Sequence, residues 1–141
     1  MDDAIRMEYA VDGDNFTSAG EASADGKRIL RQLGIPANDI RRVSIAMYEG
    51  EINMVIHAGG GKALVDITPK MVTIHLVDEG PGIPDIPLAM QAGYSTAPDA
   101  IRALGFGAGM GLPNMERYAD TIHVASEVGK GTKVKMEFFM Q

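Results

Sequence analysis

The sequence predicts a two-layer α/β fold, with helices laid over one face of a β-sheet. Three observations lead there. Several segments alternate apolar and polar residues with the two-residue period of half-buried strands. Two longer stretches in the first half of the chain carry the spacing and end signals of helices. The apolar positions of the strands also share one phase, so one sheet face is covered and the other is largely wet. At 141 residues the chain fits one domain, 1–141, long enough to bury a real core.

The elements follow in order. Ile5, Met7, Tyr9 and Val11 alternate with Arg6 and Glu8 and read as a strand. After a turn rich in Gly and Asp, a helix is expected from about Phe16 to Leu33, ended by Gly34 and Pro36. A longer helix runs from an N-cap at Asn38 or Asp39 to His57, where Gly59, Gly60 and Gly61 stop it. Residues 63–67 and 72–78 flank a Pro-Lys turn as one hairpin, and residues 121–126 and 132–140 flank a Gly-Lys-Gly turn as a second. Val72, Ile74 and Leu76 share a face with Asp78, and Val134, Met136 and Phe138 oppose Lys133, Lys135 and Glu137. His75 and His123 fall out of phase with the apolar set, which makes them open-face residues without a catalytic role.

Composition excludes several classes. A hydrophobic content of 45% and a charged content of 23% are ordinary for a globular chain. No apolar run approaches the roughly 18 residues of a membrane span. The start "MDDAIRMEYAVDGD" has neither a basic nor an apolar leader segment, so a cytoplasmic protein is expected. Without cysteine there is no disulfide, thiolate zinc site or cysteine nucleophile, and three scattered histidines make a poor metal cluster. A net charge of -6, from 13 basic and 19 acidic residues, speaks against a nucleic-acid surface.

Four short motifs carry the chemistry. Glu49, Asn53 and His57 recur every four residues on a helix that is otherwise apolar nearly all round, so the polar stripe is expected to line a pocket. Asp78 ends an apolar strand and is followed by Gly80 and Gly82. An inward carboxylate there needs a donor, for which the exocyclic amine of adenine would serve, and the glycines would let backbone lie close to a flat ring. Gly105, Gly107, Gly109 and Gly111 precede a helix beginning near Leu112, whose free N–H groups and dipole suit an anion. Gly129-x-Gly131-Thr132 closes the set at a hairpin turn. Each has a plainer reading alone: a solvated stripe, an Asp-Gly turn, a hinge, a tight turn. Their order along the chain is the stronger signal.

That order resembles the GHKL ATPase superfamily, the ATP-binding fold shared by histidine kinases, gyrase and MutL. "DEGPGIPDIPLAMQAGYST", "GMGLPNMERYAD" and "SEVGKGTKVKM" are most similar to the small bacterial serine protein kinases and anti-sigma factors of partner-switching systems, over about Asp39 to Met136. The resemblance implies a Bergerat-type two-layer sandwich, helices on one face of a mixed sheet, with ATP beneath a lid from about 93 to 111. It implies that Asn53 holds Mg²⁺ and that Glu49 is the general base. Asp78 reads adenine with Gly80 and Gly82 beside it, while Gly107, Gly109, Gly111 and Leu112 cover the phosphates. Thr132 helps to hold the adenine end, and His57 stands where the family varies.

Two departures stand out. Gly50 and Glu51 replace small or apolar residues, adding flexibility and a charge beside the base, and 97–104, "APDAIRAL", lengthens the lid. The activity implied is phosphoryl transfer to a Ser or Thr of a STAS-domain partner. With few basic residues near the motifs, backbone amides would carry much of the phosphate neutralisation. A non-catalytic anti-sigma factor that sequesters a sigma factor, a histidine-kinase catalytic domain and a free-standing ATPase stay as alternatives. The histidine-kinase alternative is weakened because nothing before Asp39 is long enough for a dimerising helix pair. No nucleic-acid or membrane partner is expected, and homodimerisation stays open.

Overall fold

The computed structural model describes residues 5–13, 19–91 and 111–140. Strands β1 (Ile5–Asp12), β2 (Gly60–Ile67), β3 (Met71–Val77), β4 (Thr121–Glu127) and β5 (Gly131–Phe139) form one sheet in the order β1-β2-β3-β5-β4. The two-layer α/β class stands, but every described pairing is antiparallel where a mixed sheet was expected. The connectivity explains this. β2–β3 and β4–β5 are hairpins, and the path from β1 to β2 passes through two helices, each reversing the chain.

Helices α1 (Glu21–Gln32), α2 (Ala37–Ala58) and α4 (Gly111–Tyr118) lie in the second layer, and the four-residue α3 (Ile86–Ala89) follows the β3 loop. α2 is the hub, touching α1, α4 and four of the strands. Its Val43, Ala46, Met47, Met54 and Val55 meet Val65, Val72, Ile74, Met136 and Phe138 of the sheet in one buried cluster. The strand phase places these side chains correctly. His75 and His123 lie on the opposite, open face, where His75 Nε2 stands 3.9 Å from Asp66 Oδ2.

Three helix boundaries differ from expectation, each for a local reason. Gly20 has φ 101°, which breaks helical geometry, so α1 starts at Glu21 and cannot run unbroken from Phe16. α2 starts at Ala37, directly after Pro36, and neither Asn38 nor Asp39 caps it. Asp39 lies inside the first turn, buried, with Oδ1 accepting from Arg42 Nε at 3.0 Å. Of the three glycines expected to stop α2, only Gly59 does so, in the left-handed region at φ 71°, while Gly60 and Gly61 already belong to β2.

Both departures on α2 prove to be packing devices. Gly50 faces the sheet, and a Cβ there would collide with Leu76 Cδ1 and lie 3.3 Å from Met115 Sδ. It permits close approach of α2 to β3 and α4. Glu51 is 3% exposed and points away from Glu49. Its Oε2 accepts the N–H groups of Gly20 at 2.8 Å and Ala22 at 3.1 Å, and Oε1 accepts that of Ser23 at 3.0 Å. Gly20 offers α1 no side-chain cap, so a carboxylate from the neighbouring helix satisfies the free amides and complements the dipole. The charge is therefore not beside the candidate base.

Arg42 ties the far end together. Its Nη1 donates to Asp120 Oδ2 at 2.9 Å and its Nη2 to the Phe139 carbonyl at 2.7 Å, with the guanidinium 5.6 Å from the Phe138 ring centre. The start of α2, the α4–β4 turn and the end of β5 are thereby joined.

Candidate functional site

A cavity opens where the second half of α2, the loop after β3, the β4–β5 hairpin and the start of α4 converge. Asn53, His57, Asp78, Gly82, Leu112 and Thr132 are among its lining residues. Asp78 stands one residue past β3, in phase with Ile74 and Leu76, and so turns inward. Its Oδ1 accepts the N–H groups of Gly80 at 3.0 Å and Thr132 at 3.1 Å, while its own N–H donates to the Thr132 carbonyl at 3.0 Å. Oδ2 takes no hydrogen bond among the described residues, which leaves it for a donor in the cavity.

The loop glycines are needed for close packing within the protein. A Cβ on Gly80 would lie 2.7 Å from Ala58 Cα. Gly82 has φ 82°, and a Cβ there would lie 2.5 Å from the Glu127 carbonyl oxygen. The glycines seat the loop between the end of α2 and the hairpin. Gly82 lines the cavity and Gly80 lies behind it. Ser126 completes the attachment, its Oγ accepting the Ile83 N–H at 2.7 Å.

At the other end, Glu49 is half-buried one turn before Asn53. Glu49 Oε1 accepts from Asn114 Nδ2 of α4 at 3.3 Å. Gly111 opens α4 against Asn53, where an added Cβ would stand 3.4 Å from Asn53 Oδ1. The first described turn of α4 thus begins beside the Asn53 amide. His57, one turn beyond Asn53, has its pKa lowered by burial, which favours the neutral ring. An acceptor-bearing pocket at one end and amide donors with a carboxylate at the other suit a ligand with an amine-bearing ring and an anionic tail.

Comparison with known proteins decides the family. The description "Histidine kinase-like ATPase domain" matches residues 15–138. The chain belongs to this family. It is 38% identical over 142 residues to an anti-sigma F factor of Clostridium acetobutylicum, covering 97% of this chain and 94% of that protein. It is 34% identical over 139 residues to an anti-sigma F factor of Clostridium botulinum, covering 94% and 92%. It is also 32% identical over 114 residues to the serine/threonine-protein kinase RsbT of Bacillus subtilis, covering 78% and 80%. Among solved structures, the RsbU and RsbW domains of Rv1364c from Mycobacterium tuberculosis superpose with a TM-score of 0.63 at 16% identity. That match covers 97% of this chain and 33% of the other. The sensor histidine kinase MprB superposes with a TM-score of 0.56, also at 16% identity, covering 97% and 99%. At that identity the structures speak for the fold.

Within this histidine kinase-like ATPase fold, the sequence motifs come together as follows. Asn53, Asp78, Gly82, Leu112 and Thr132 share one cavity, with Glu49 and Gly111 at its α2–α4 end and Gly80 behind the loop. Gly107, Gly109 and the rest of 93–110 lie outside the described residues. Sequence reading missed Asn114 and Ser126. The β4–β5 register could have found Ser126, since it pairs residue 126 with Thr132 across the glycine turn. Asn114 had no comparable signal, because its partner is 65 positions away. No helix among the described residues is long and apolar enough to cross a membrane.

Proposed function

We propose that this chain binds Mg²⁺-ATP and transfers a phosphoryl group to a serine or threonine of a small STAS-domain partner in a bacterial partner-switching system. The observation that carries the proposal is Glu49. It is a half-buried carboxylate, one helical turn before Asn53, and among the described residues its side chain takes one hydrogen bond, from Asn114 Nδ2 at 3.3 Å. The kinase name of the Bacillus subtilis relative supports it.

Asp78 would receive the adenine amine on Oδ2, with Thr132 beside it. The first-turn amides of α4 would face the phosphates and offset their charge. Asn53 fits Mg²⁺: its amide oxygen is a hard donor beside Gly111, and this ion keeps several waters and phosphate oxygens and needs few protein ligands. Among the described residues no cluster of three His, Asp or Glu competes as a metal cage. When bound, the ion would screen phosphate charge during transfer. Glu49 would orient the partner's hydroxyl and take its proton on a carboxylate oxygen, and Asn114 would hold that carboxylate in place.

The experiment incubates the full chain with γ-labelled ATP, Mg²⁺ and co-purifying partner protein, followed by phosphosite mapping. Labelled Ser or Thr is expected, with Glu49→Gln lowering transfer by roughly 10²- to 10⁴-fold while nucleotide affinity changes little. Transfer at the wild-type rate in Glu49→Gln removes the general-base role. The anti-sigma F factor relatives favour a second reading, a regulator that uses nucleotide only to hold a sigma factor. Nucleotide-dependent sigma-factor binding without any labelled partner would select it.

A further inference from the structure

Helix α2 carries apolar side chains on two faces. Val43, Met47 and Met54 go to the core, whereas Ile45 and Tyr48 neither belong to the buried core cluster nor pack against it. Tyr48 is 40% exposed and Ile45 is half-buried. Residues three and four apart are neighbours on a helix surface, so both flank Glu49 in one patch. α4 borders that patch. Asn114 Nδ2 donates to Glu49 Oε1 at 3.3 Å, and the Tyr118 carbonyl accepts from Arg42 Nη1 at 3.4 Å. α4 therefore runs back along α2 and brings Arg117 to the end where Arg41 stands. The arginines at that end differ. Arg42 is engaged by Asp39, Asp120 and the Phe139 carbonyl. Arg41 and Arg117 are exposed, and among the described residues neither meets a carboxylate; Arg117 has only the Tyr118 ring, 5.5 Å away.

We propose that this patch docks the acceptor segment of the phosphorylated partner. It selects a segment with an apolar side chain next to the Ser or Thr and an acidic one toward Arg41 and Arg117. This rests on the phosphoryl-transfer reading above. A hydroxyl that gives its proton to Glu49 has to sit over that carboxylate, so the chain carrying it crosses Ile45 and Tyr48, whose burial favours an apolar neighbour. Glu49 is itself an anion and repels an acid placed directly over it. Arg117 follows Asn114, and Arg41 precedes Glu49, by roughly 5 and 12 Å along the helices at about 1.5 Å per residue. The acid therefore belongs about one to two helical turns from the acceptor. Complementary charge at such a rim acts on encounter and partner choice more than on chemistry.

The test uses the full chain, Mg²⁺-ATP and the partner protein labelled in the experiment above, and reads KM for that protein, kcat and nucleotide affinity separately. Arg41→Glu with Arg117→Glu is expected to raise KM for the partner about 10-fold, leaving kcat and nucleotide affinity within about 2-fold. Wild-type KM should rise with salt, and that of the double variant should respond less. Replacing the partner's acidic residue nearest the mapped site by Lys is expected to restore the KM of the double variant. Tyr48→Ala should raise KM about 5-fold, the scale of its lost apolar contact. Should charge reversal disturb the fold, Arg41→Gln with Arg117→Gln decides, with a rise of about 3-fold expected. An unchanged KM in the arginine variants overturns the proposal, as does a labelled residue with no acidic side chain within about two helical turns. A parallel loss of nucleotide affinity also overturns it, because the arginines then serve the fold or the nucleotide. Failure of the underlying reading looks different: wild type then labels no protein, and the docking surface falls with it.

Discussion

Glu49 and Glu51 stand two residues apart on one helix and meet opposite surroundings. Glu51 is enclosed, and its two oxygens accept three backbone N–H groups at the start of α1. Glu49 lies one turn before the cavity-lining Asn53, and among the described residues its one side-chain hydrogen bond is a 3.3 Å contact from Asn114. Both are glutamates on a largely apolar helix, where composition does not tell them apart and spacing only sets Glu49 in line with Asn53 and His57. Their hydrogen bonding separates them. A carboxylate whose acceptor capacity is filled by backbone holds the fold, and one left short of donors is available to a ligand.

The largest effect should come from the enclosed carboxylate. Glu51→Ala strands three amides near the α1 N-terminus, two of them at buried residues, and is expected to cost about 2–4 kcal/mol of stability, read from urea unfolding. Glu49→Gln should stay within about 0.5 kcal/mol of wild type in the same measurement. Equal losses for the two variants would break the contrast. Gly50→Ala, placed between them, should lose about 1–2 kcal/mol. The added methyl meets Leu76 and Met115, and this crowding outweighs the roughly 1 kcal/mol gain in helix propensity.

Smaller effects sharpen the contrast on the cleft side. Asn114→Leu removes the contact to Glu49 and is expected to slow phosphoryl transfer about 3- to 10-fold, with nucleotide affinity retained in a binding titration. Smallest is a pH effect at His57. Burial lowers its pKa in the folded protein below the ordinary value of about 6.5. The unfolded chain therefore binds more protons in the window between the folded pKa and about 6.5, and stability falls as pH drops through that window. His57→Gln should flatten that slope in unfolding curves taken from pH 7.5 downward.

Much of the fold was legible because strand alternation is a local signal. The phase of Val72, Ile74 and Leu76, and of Val134, Met136 and Phe138, gave the buried face directly. Strand order was not legible, since the placement of β5 between β3 and β4 rests on pairings such as Ile74 with Met136 that no local pattern encodes. The start of α1 was misplaced because Gly20 adopts a positive φ that residue spacing does not reveal. The site motifs were readable as short words, and Asp78 and Thr132 do meet although they are 54 positions apart. Glu51 was misread for the converse reason: its partners lie 28 to 31 residues earlier, in a helix whose missing cap could not be known.

The sheet order also bears on how the chain is made. β3 is synthesised long before the β4–β5 hairpin that covers its second edge. Until that hairpin docks, the Val72, Ile74 and Leu76 strand presents unpaired amides and carbonyls, the kind of edge on which other chains add. Asp78 lacks its Thr132 contact over the same interval, so the finished cleft can appear only after the hairpin has closed that edge.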